Sequence, residues 1–455
     1  MERLALKSLE KWATQDDHKP LILTGARQTG KTWLVQNFSA QSRRALSYVN
    51  FERDPELADC FSTNDPHTIL GLLEARLRAT ITPGKTLLFL DEIQAKPELL
   101  AKLRWFSEEV PNLHVIAAGS LLDFALADHS FSMPVGRVTY GNLEPMNFVE
   151  FLLAVGEERL VTTIRSATPT LGVPAVLHSR LSELSRTYAL IGGMPAAVAE
   201  WAKTRSYQLT ASVHRDLLQA IRDDFAKYSG NREKIAKVFA ALPRLVGRKF
   251  QPRKVDSEEK TLPLRNAFRM LSLARIATPV RRTSANGLPL GAEVDEQYEK
   301  VCLLDVGLYS TLSGLDALDT TKARDLTLVN EGQLAEQWVG QELRGCRPFN
   351  QEPELFTWVR EAKSSSAEVD YVIQVGTRIV PIEVKAGSTG RLRSLHVMVA
   401  EKKLDLAVRV SSEPLQLTRV STVGSAGNAR QFWLLSIPFY LTSELPRLIK
   451  DSLGA

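Results

Sequence analysis

The chain has 455 residues, 44% of them hydrophobic and 24% charged, which is the composition of a globular protein rather than a disordered or fibrous one. The length predicts roughly three domains. No apolar run reaches the ~18 residues of a membrane-spanning helix, and the charged start of the chain lacks the apolar core of a signal peptide. The three cysteines and seven histidines show no spacing typical of a disulfide framework or a metal site, so we expect a cytoplasmic protein.

The charge of the chain is unevenly distributed. Residues 227–282 contain 15 Lys or Arg and four Asp or Glu, although the whole chain has a formal net charge of only +5. A concentrated basic block in an otherwise acidic chain favours a polyanion as a partner.

A glycine-rich segment near the start of the chain carries the most specific signal. It fits the pattern G-x-x-x-x-G-K-[ST] between a predicted strand at 21–23 and a predicted helix from residue 33, the context in which such a loop binds phosphate through backbone N–H groups. We expect Lys31 to reach the terminal phosphates of ATP and Thr32 to bind Mg²⁺. The predicted nucleotide-binding residues are Gly25, Ala26, Arg27, Gln28, Thr29, Gly30, Lys31 and Thr32.

Further strands alternate with helices in the first domain, which we assign to residues 1–154. The strands are predicted at 46–51, 86–90, 115–118 and 138–140, with helices such as 69–78 and 97–110 between them. This alternation predicts an α/β fold with a parallel sheet covered on both faces.

Acidic and polar residues follow two of these strands. The strand at 86–90 ends in Asp91, expected to hold the Mg²⁺ shell, and Glu92, expected to orient or deprotonate the attacking water. The next strand ends before Ser120, which either senses the γ-phosphate or caps a helix. Arg137 either stabilises transition-state charge, in its own site or a neighbouring subunit's, or is a solvated surface residue.

The middle of the chain is predicted to contain two regions. Residues 155–226 are mostly helical, interrupted by Gly192-Gly193-Met194-Pro195, which predicts a lid beside the nucleotide or a plain connector. Residues 227–320 predict helices followed by a β-ribbon, an order similar to a winged helix. Basic residues of this region either contact the phosphates of DNA or form a solvated surface. They are Arg244, Arg248, Lys249, Arg253, Lys254, Arg281 and Arg282.

The last segment, residues 321–455, is predicted to contain a β-hairpin with strands at 368–375 and 378–385. A two-residue turn would place Asp370 opposite Glu383. Because two opposed carboxylates repel each other, a cation between them is expected, which predicts a second Mg²⁺.

The same register places Glu368 opposite Lys385, so the bland alternative is an exposed, salt-bridged hairpin face. Around the hairpin the expected elements are a helix at 331–343, a strand at 355–359, a helix at 391–402 and a strand at 406–410.

Several motifs occur in the order typical of one known family. They are Gly25 to Thr32, Leu90-Asp91-Glu92-Ile93-Gln94, Ala118-Gly119-Ser120, Pro134-Val135-Gly136-Arg137, Leu143 to Leu152, Ile191 to Pro195 and Lys300 to Leu308. With them the chain resembles the prokaryotic AAA-family ATPases that carry a C-terminal domain of unknown function. The resemblance implies ATP binding and hydrolysis in the first domain and leaves the biological role open.

The last segment also resembles the PD-(D/E)xK core of restriction-type nucleases. That resemblance implies a nuclease-like metal site made of Glu336, Asp370, Glu383 and Lys385, with Glu331 and Glu342 as rivals of Glu336 on the helix.

Three hypotheses of function follow from these features. The leading one is an ATPase whose nucleotide state alters the relation between the outer domains, in an oligomer if Arg137 acts in trans. The second is an ATP-dependent enzyme that cleaves DNA. The third is a nucleotide-dependent regulator or scaffold that binds DNA or a protein and cuts nothing.

Overall fold

The computed structural model describes residues 2–127, 133–228, 231–315, 331–360, 367–387, 392–423 and 429–453. Its strands form two sheets, one of five strands and one of eight. No helix within these ranges has the length and apolarity that a membrane crossing requires.

The first sheet is parallel throughout. Its strands are β1 (Leu21–Thr24), β2 (Ala45–Asn50), β3 (Thr86–Asp91), β4 (His114–Ala118) and β5 (Thr139–Asn142). The helices of this region are α1 (Ala5–Ala13), α2 (Lys31–Gln41), α3 (Pro66–Leu77), α4 (Leu103–Glu109) and α5 (Leu122–Ala127). Every residue of β1, β3 and β4 is buried, as expected where helices cover both faces of a parallel sheet.

The strand order β2-β3-β4-β1-β5 decides what this sheet can do. Because β4 lies between β1 and β3, the carboxyl ends of these three parallel strands meet at one edge. The loop after β1, the acids after β3 and the polar turn after β4 are therefore brought to the same place.

The helix predicted at 97–110 is an α-helix only in its second part. Residues Pro97–Lys102 form a 3₁₀ helix, and the α-helix begins only at Leu103. Leu100 and Leu103 are three residues apart and both fully buried, which suits the three-residue period of a 3₁₀ helix.

Five helices follow the first sheet: α6 (Phe148–Ala154), α7 (Glu158–Ser166), α8 (Ala175–Ile191), α9 (Pro195–Thr204) and α10 (Tyr207–Asp224). The break between α8 and α9 packs against the start of α6, where the Met146 amide donates to the Gly193 carbonyl at 2.7 Å. A side chain at position 193 would place its Cβ 1.9 Å from the Met146 carbonyl oxygen, so only glycine fits there.

The next elements are α11 (Arg232–Leu245), α12 (Pro252–Val255), α13 (Thr261–Leu273), β6 (Ala277–Thr283), β7 (Val294–Leu303) and α14 (Val306–Leu312). The predicted ribbon is present, since β6 and β7 pair antiparallel. It does not form a separate wing, because β6 also pairs with a strand at 355–359. The sheet therefore continues across the boundary expected at residue 320.

The rest of the chain supplies α15 (Glu331–Gly345), β8 (Leu355–Val359), β9 (Glu368–Val375), β10 (Arg378–Val384), α16 (Arg393–Lys402), β11 (Leu406–Ser411), β12 (Gln416–Val423), β13 (Ala429–Pro438) and α17 (Leu445–Leu453). The eight-stranded mixed sheet has the order β12-β13-β11-β10-β9-β8-β6-β7. The predicted hairpin register is confirmed from Arg378 opposite Val375 to Ile382 opposite Tyr371.

Aromatic packing joins the middle helices to this second sheet. The Trp338 ring of α15 lies 4.8 Å from the Tyr188 ring of α8 and 5.5 Å from the Phe148 ring of α6, measured between centroids. All three side chains are buried in one hydrophobic cluster, so the helical region and the C-terminal sheet share a core.

Candidate functional site: the phosphate loop and its links to the C-terminal domain

The loop between β1 and α2 has a backbone that requires glycine at two positions. Gly25 has φ 148°, and a Cβ there would lie 2.4 Å from the Leu143 carbonyl oxygen. Gly30 has φ 93° and is the N-cap of α2. Left-handed backbone next to a helix N-terminus turns successive N–H groups toward one point, which makes a seat for an anion.

Lys31 lies inside this seat. Its Nζ donates to the carbonyl oxygens of Gly25 at 2.8 Å and Ala26 at 2.9 Å, and the residue is buried. Burial lowers the pKa of Lys31 to about 8, while the carboxylates of Glu92 and Asp91 act in the opposite direction. A buried ammonium held only by loop carbonyls is well placed to turn to phosphate oxygens.

Thr32 and Asp91 form the oxygen pair expected to hold Mg²⁺. Thr32 Oγ1 donates to Asp91 Oδ2 at 2.9 Å, across the gap from α2 to β3. Burial raises the pKa of Asp91, and hydrogen bonds from Thr32 and Tyr48 oppose that rise. Both are hard oxygen donors of the kind that Mg²⁺ prefers.

Tyr48 is a residue of this site that the sequence did not reveal. Its hydroxyl donates to Asp91 Oδ2 at 3.0 Å and accepts from Asn50 Nδ2 at 3.0 Å. The period-2 alternation of β2 places Tyr48 and Asn50 on one face of the sheet, which was the available signal. The sequence does not show that β2 pairs with β3, the strand that carries Asp91.

Glu92 has a strained backbone and a fixed carboxylate. Its φ is 52°, in the left-handed region that non-glycine residues seldom occupy. Gln94 Nε2 donates to Glu92 Oε2 at 2.6 Å. A Cβ on Gly119 would lie 2.1 Å from Gln94 Oε1, so the turn after β4 touches the same glutamine. Ser120 follows this glycine and is buried.

Arg137 lies apart from these residues in the structure. Its Nε donates to Glu108 Oε1 of α4 at 2.8 Å, and its side chain is half exposed. Among the described residues, no contact of Arg137 supports a role in the nucleotide site of the same chain.

Two arginines hold the phosphate loop in place, Arg3 from outside the loop and Arg27 within it. The sequence predicted Arg27 only as a nucleotide-binding residue and did not single out Arg3. Arg3 is buried and donates to the Thr29 carbonyl at 2.7 Å and to Glu150 Oε1 at 3.0 Å. Arg27, within the loop, forms an ion pair with Asp224 at the end of α10. No local pattern predicts these contacts, because their partners are distant in the sequence.

A junction centred on Asn142 connects the phosphate-loop strand to the C-terminal segment. Its Oδ1 accepts from Thr24 Oγ1 at 2.8 Å and from Arg275 Nη1 at 3.0 Å. Its backbone N–H donates to the Phe349 carbonyl at 2.8 Å, and its Nδ2 donates to the Gln351 carbonyl at 3.0 Å. We call these five residues the Asn142 junction.

Two charged residues of α15 reinforce this link. Arg344 is almost fully buried and forms an ion pair with Glu144 at 3.0 Å. Glu342 Oε1 accepts from the Phe148 amide at 2.9 Å, so it caps α6. Burial raises the pKa of Glu342 to about 8. Glu342, a rival for the metal site in the sequence, is thus assigned to capping, and the side chain of Glu331 lies outside the described residues.

The hairpin acids of the second sheet lie close together, as the register predicts. The Val384 amide donates to Asp370 Oδ2 at 2.8 Å, beside Glu383. Lys385 Nζ contacts Glu383 Oε1 at 2.7 Å. Burial and the neighbouring Asp370 raise the pKa of Glu383 to about 7.

The expected pairing of Glu368 with Lys385 is wrong, because Lys385 contacts Glu383 and Glu368 contacts a different lysine. Glu368 Oε1 lies 2.8 Å from the Nζ of Lys300, a buried residue of β7. Lys300 Nζ is also 3.1 Å from Glu336 Oε2. Burial raises the pKa of Glu336 to about 8, although Lys300 opposes this.

The second Mg²⁺ expected at this hairpin finds no support in the geometry. Across the described ranges no group of three His, Cys, Asp or Glu side chains is arranged to hold a metal ion. The side chains of Glu336 and Glu383 are instead engaged by lysines, Lys300 and Lys385 respectively.

The basic residues of the middle region are divided between two environments. Arg281 pairs with Glu354 and Arg282 with Asp295, so these charges are partly neutralised. Arg244 donates to the backbone carbonyls of Lys254 and Val255 in α12. The remaining four residues lie in the turn after α11 and in α12, on what we call the basic segment, residues 248–254.

Comparison with known proteins assigns three parts of the chain. Residues 17–152 match an AAA domain, residues 182–319 match a domain of unknown function, DUF8612, and residues 331–424 match another, DUF4143. No curated protein matches the chain.

The solved structures that match the chain share little sequence with it, and their TM-scores are below 0.5. The Walker-type ATPase PABY2304 of Pyrococcus abyssi is 15% identical, with a TM-score of 0.44, over 68% of this chain and 94% of that one. The ORC2 protein of Aeropyrum pernix is 11% identical, with a TM-score of 0.31, over 70% and 96%. The RuvB Holliday junction branch migration motor of Thermotoga maritima is 14% identical, with a TM-score of 0.25, over 60% and 86%.

The first part of the chain is an AAA-type P-loop ATPase domain, as its sheet order, its phosphate loop and the family match agree. The chain joins this ATPase domain to a helical region and to a C-terminal domain built on a mixed eight-stranded sheet. The donors around Lys31, Thr32 and Asp91 fit ATP with Mg²⁺, the ligands typical of such domains.

The contact of Tyr48 with Asp91 leads to a first prediction. Tyr48→Phe removes one hydrogen bond to a buried carboxylate, a loss of about 1 kcal/mol, and should lower kcat/KM for ATP about fivefold. Steady-state phosphate release at several Mg²⁺ concentrations measures the effect. Tyr140→Phe, at an exposed position of β5, is the matched control and should behave as wild type. Equal activities of the two variants would exclude Tyr48 from the site.

Proposed function

We propose that Lys31, Thr32, Asp91 and Glu92 form the ATP-hydrolysing centre and that its nucleotide state is transmitted to the C-terminal domain. Lys31 binds the terminal phosphates, and Thr32 and Asp91 hold Mg²⁺. When bound, the metal neutralises charge on the phosphates. Glu92 accepts the proton of the attacking water, as a positioned carboxylate does in general base catalysis.

The fixed orientation of the Glu92 carboxylate supports its role as the base. Gln94 donates to only one carboxylate oxygen, Oε2, and leaves Oε1 free of that hydrogen bond. The strained backbone of Glu92 has a cost of about 1–3 kcal/mol, which is typical of a residue held in place for function. Ser120, on the turn that touches Gln94, is in our proposal the sensor of the γ-phosphate.

Arg137 acts in trans in this proposal. Its half-exposed guanidinium is available to a neighbouring subunit, and Glu108, its carboxylate partner among the described residues, is itself on the surface. Such a role requires a homo-oligomer. Surface ion pairs are weak, so exchange of Glu108 for a phosphate would cost little.

The Asn142 junction is the observation that carries the coupling proposal. Thr24, which donates to Asn142, is the residue directly before the phosphate loop, and Phe349 and Gln351 belong to the segment after α15. Arg3 and the Arg27–Asp224 ion pair give the loop two further connections to the helical region. A shift of the loop on nucleotide binding would therefore displace partners in both other parts of the chain.

The basic segment is the surface that we propose for DNA. Arg248, Arg253 and Lys254 are exposed, and in the described part of the chain they form no ion pair. Lys249 lies over the ring of Tyr298, 4.6 Å from its centroid. Positive charges that are not neutralised by neighbours bind phosphates with release of counterions.

This segment is fixed rather than free. The Phe250 amide donates to the Glu299 carbonyl at 2.7 Å and the Gly247 amide to the Val301 carbonyl at 2.9 Å, which extends the sheet beyond its edge strand β7. A rigid basic edge beside the C-terminal domain favours binding of DNA there over binding elsewhere.

A nuclease-like C-terminal domain is the second part of the proposal, and its arrangement favours binding over cutting. The hairpin, its register and the order of surrounding elements support likeness to a PD-(D/E)xK core. Its acidic residues, however, contact lysines. The chain is then a nucleotide-dependent regulator or scaffold on DNA.

Glu92→Gln tests the assignment of the base. This variant should lose at least a hundredfold in kcat, within the range of a removed general base, while its affinity for ATP stays within a few-fold of wild type. Phosphate release and equilibrium binding of a fluorescent ATP analogue measure the two quantities. Lys31→Ala is the comparison, since it should lose binding itself. Unaltered turnover in Glu92→Gln would remove Glu92 from its role.

Neutralising the basic segment tests the DNA surface. Arg248, Lys249, Arg253 and Lys254 changed together to Gln should weaken DNA binding and make the slope of log K against log salt shallower by ~2–4. Arg281→Gln with Arg282→Gln, two arginines whose charges are partly neutralised by acids, is the control and should change the slope less per charge removed. If both variants have the same slope, the basic segment is a solvated surface that does not contact DNA.

A further inference from the structure

A buried lysine lies where the hairpin acids lead one to expect a metal ion. Lys300 belongs to the buried half of β7, and only 2% of its side chain is exposed. The residues that follow it in β7, Val301, Cys302 and Leu303, are apolar and buried. An ammonium in such a place is tolerated only if partners of opposite charge surround it.

Three carboxylates surround the Lys300 ammonium, and they come from two different elements. Glu368 of β9 is 2.8 Å and Glu336 of α15 is 3.1 Å from its Nζ. The third, Asp370 of β9, is 3.8 Å away. All three contacts are ion pairs, and the one with Asp370 is longer than a hydrogen bond. We call these four residues the Lys300 cluster.

The backbone closes the Lys300 cluster on the side of the basic segment. Gly247 has φ 69°, and a Cβ there would lie 2.6 Å from Glu336 Oε2. Residue 249 forms a bridge with residue 300, so the basic segment runs directly beside the cluster. Tyr298 donates to Glu368 Oε2 at 3.1 Å and fixes the carboxylate from a further direction.

The position of Lys300 is in conflict with a divalent metal. Mg²⁺ binds carboxylate oxygens at about 2.0–2.1 Å. A metal bound to Asp370 or Glu336 would stand a few ångströms from the Lys300 ammonium, and like charges at such a distance in a buried site repel strongly. Burial by itself would lower the pKa of Lys300, but the three carboxylates raise it, so the lysine stays charged.

We propose that Lys300 is the permanent cation of this centre, in place of a divalent metal, and that the C-terminal domain therefore holds DNA without cleaving it. The ammonium also ties β7, and with it the basic segment, to α15 and β9. The cluster thus fixes the proposed DNA surface. The metal part of the inference does not depend on the proposed ATPase centre, because the two sites share no side chain; the statement about DNA rests on the proposed function.

Binding of Mn²⁺ to the nucleotide-free full-length protein tests the proposal directly. Electron paramagnetic resonance of free Mn²⁺ gives the stoichiometry for wild type and for Asp370→Asn. We expect the same stoichiometry for both, and no cleavage of supercoiled plasmid with Mg²⁺ or Mn²⁺ by either protein. A Mn²⁺ site, or a cleavage activity, that is present in wild type and lost in Asp370→Asn would overturn the proposal.

Removing the lysine gives the second arm, with a matched control. Lys237 also faces three carboxylates, those of Glu233, Asp256 and Glu259, but at the surface, with 39% of its side chain exposed. Lys300→Met should lower the midpoint of thermal unfolding by several degrees, and Lys237→Met should leave it unchanged. Equal midpoints for the two variants would contradict the role of Lys300.

The folded Lys300→Met variant should gain a Mn²⁺ site that Asp370→Asn removes, because the carboxylates lose their internal cation. If Lys300→Met does not fold, this loss of stability agrees with the expected role of a buried cation. The Mn²⁺ stoichiometries of wild type and Asp370→Asn then still decide whether the hairpin binds a divalent metal. ATP turnover, measured in parallel, should be retained by Asp370→Asn, so failure of this inference and failure of the ATPase proposal give different results.

Discussion

The side chain and backbone of Asn142 form four hydrogen bonds, and these bonds connect all three parts of the chain at one residue. The amide oxygen accepts from Thr24, at the entrance of the phosphate loop, and from Arg275, at the end of α13. The two N–H donors reach the Phe349 and Gln351 carbonyls beyond α15. An amide side chain accepts at its oxygen and donates from its nitrogen. An aspartate in its place could accept from Thr24 and Arg275 but could not donate to the Gln351 carbonyl.

The two buried lysines, Lys31 and Lys300, have different electrostatic environments and therefore suit different roles. Lys31 donates to carbonyl oxygens, and burial lowers its pKa to about 8. Because these acceptors are neutral, the charge of the ammonium is available to bind an anion. Lys300 is held by three carboxylates, and its charge is already neutralised. The first environment suits a site that binds a phosphate and releases it. The second suits a permanent structural cation. The difference lies in whether the acceptors around the ammonium are neutral or charged.

The sequence predicted the parts of the structure whose determinants are local. The phosphate loop depends on glycines at fixed spacing, the acids after β3 on an apolar run, and the hairpin register on a two-residue turn; the observed hairpin pairing follows that register. Tyr48, Arg3 and Asn142 were missed because their partners are brought near only by strand order and domain packing. Lys300 stands between Glu299 and the apolar residues Val301 to Leu304, and this local pattern does not distinguish a buried lysine from an exposed one at the start of a strand.

The ribbon of the middle region shows a different limit. Its two strands were predicted correctly as an antiparallel pair, but not the pairing of β6 with β8, which makes them part of the C-terminal sheet. Parallel pairing between strands separated by more than seventy residues leaves no trace in local periodicity. For this reason a wing and a sheet edge look alike in the sequence.

Hydrogen exchange across the Asn142 junction tests the coupling of nucleotide state to the C-terminal domain most directly. Amide exchange in peptides covering 342–353 should be measured in Glu92→Gln, with and without ATP, and again after adding Asn142→Ala. We predict that ATP changes exchange in this segment, and that Asn142→Ala abolishes the change while ATP still binds. Identical exchange with and without ATP, at saturating nucleotide, would contradict the coupling.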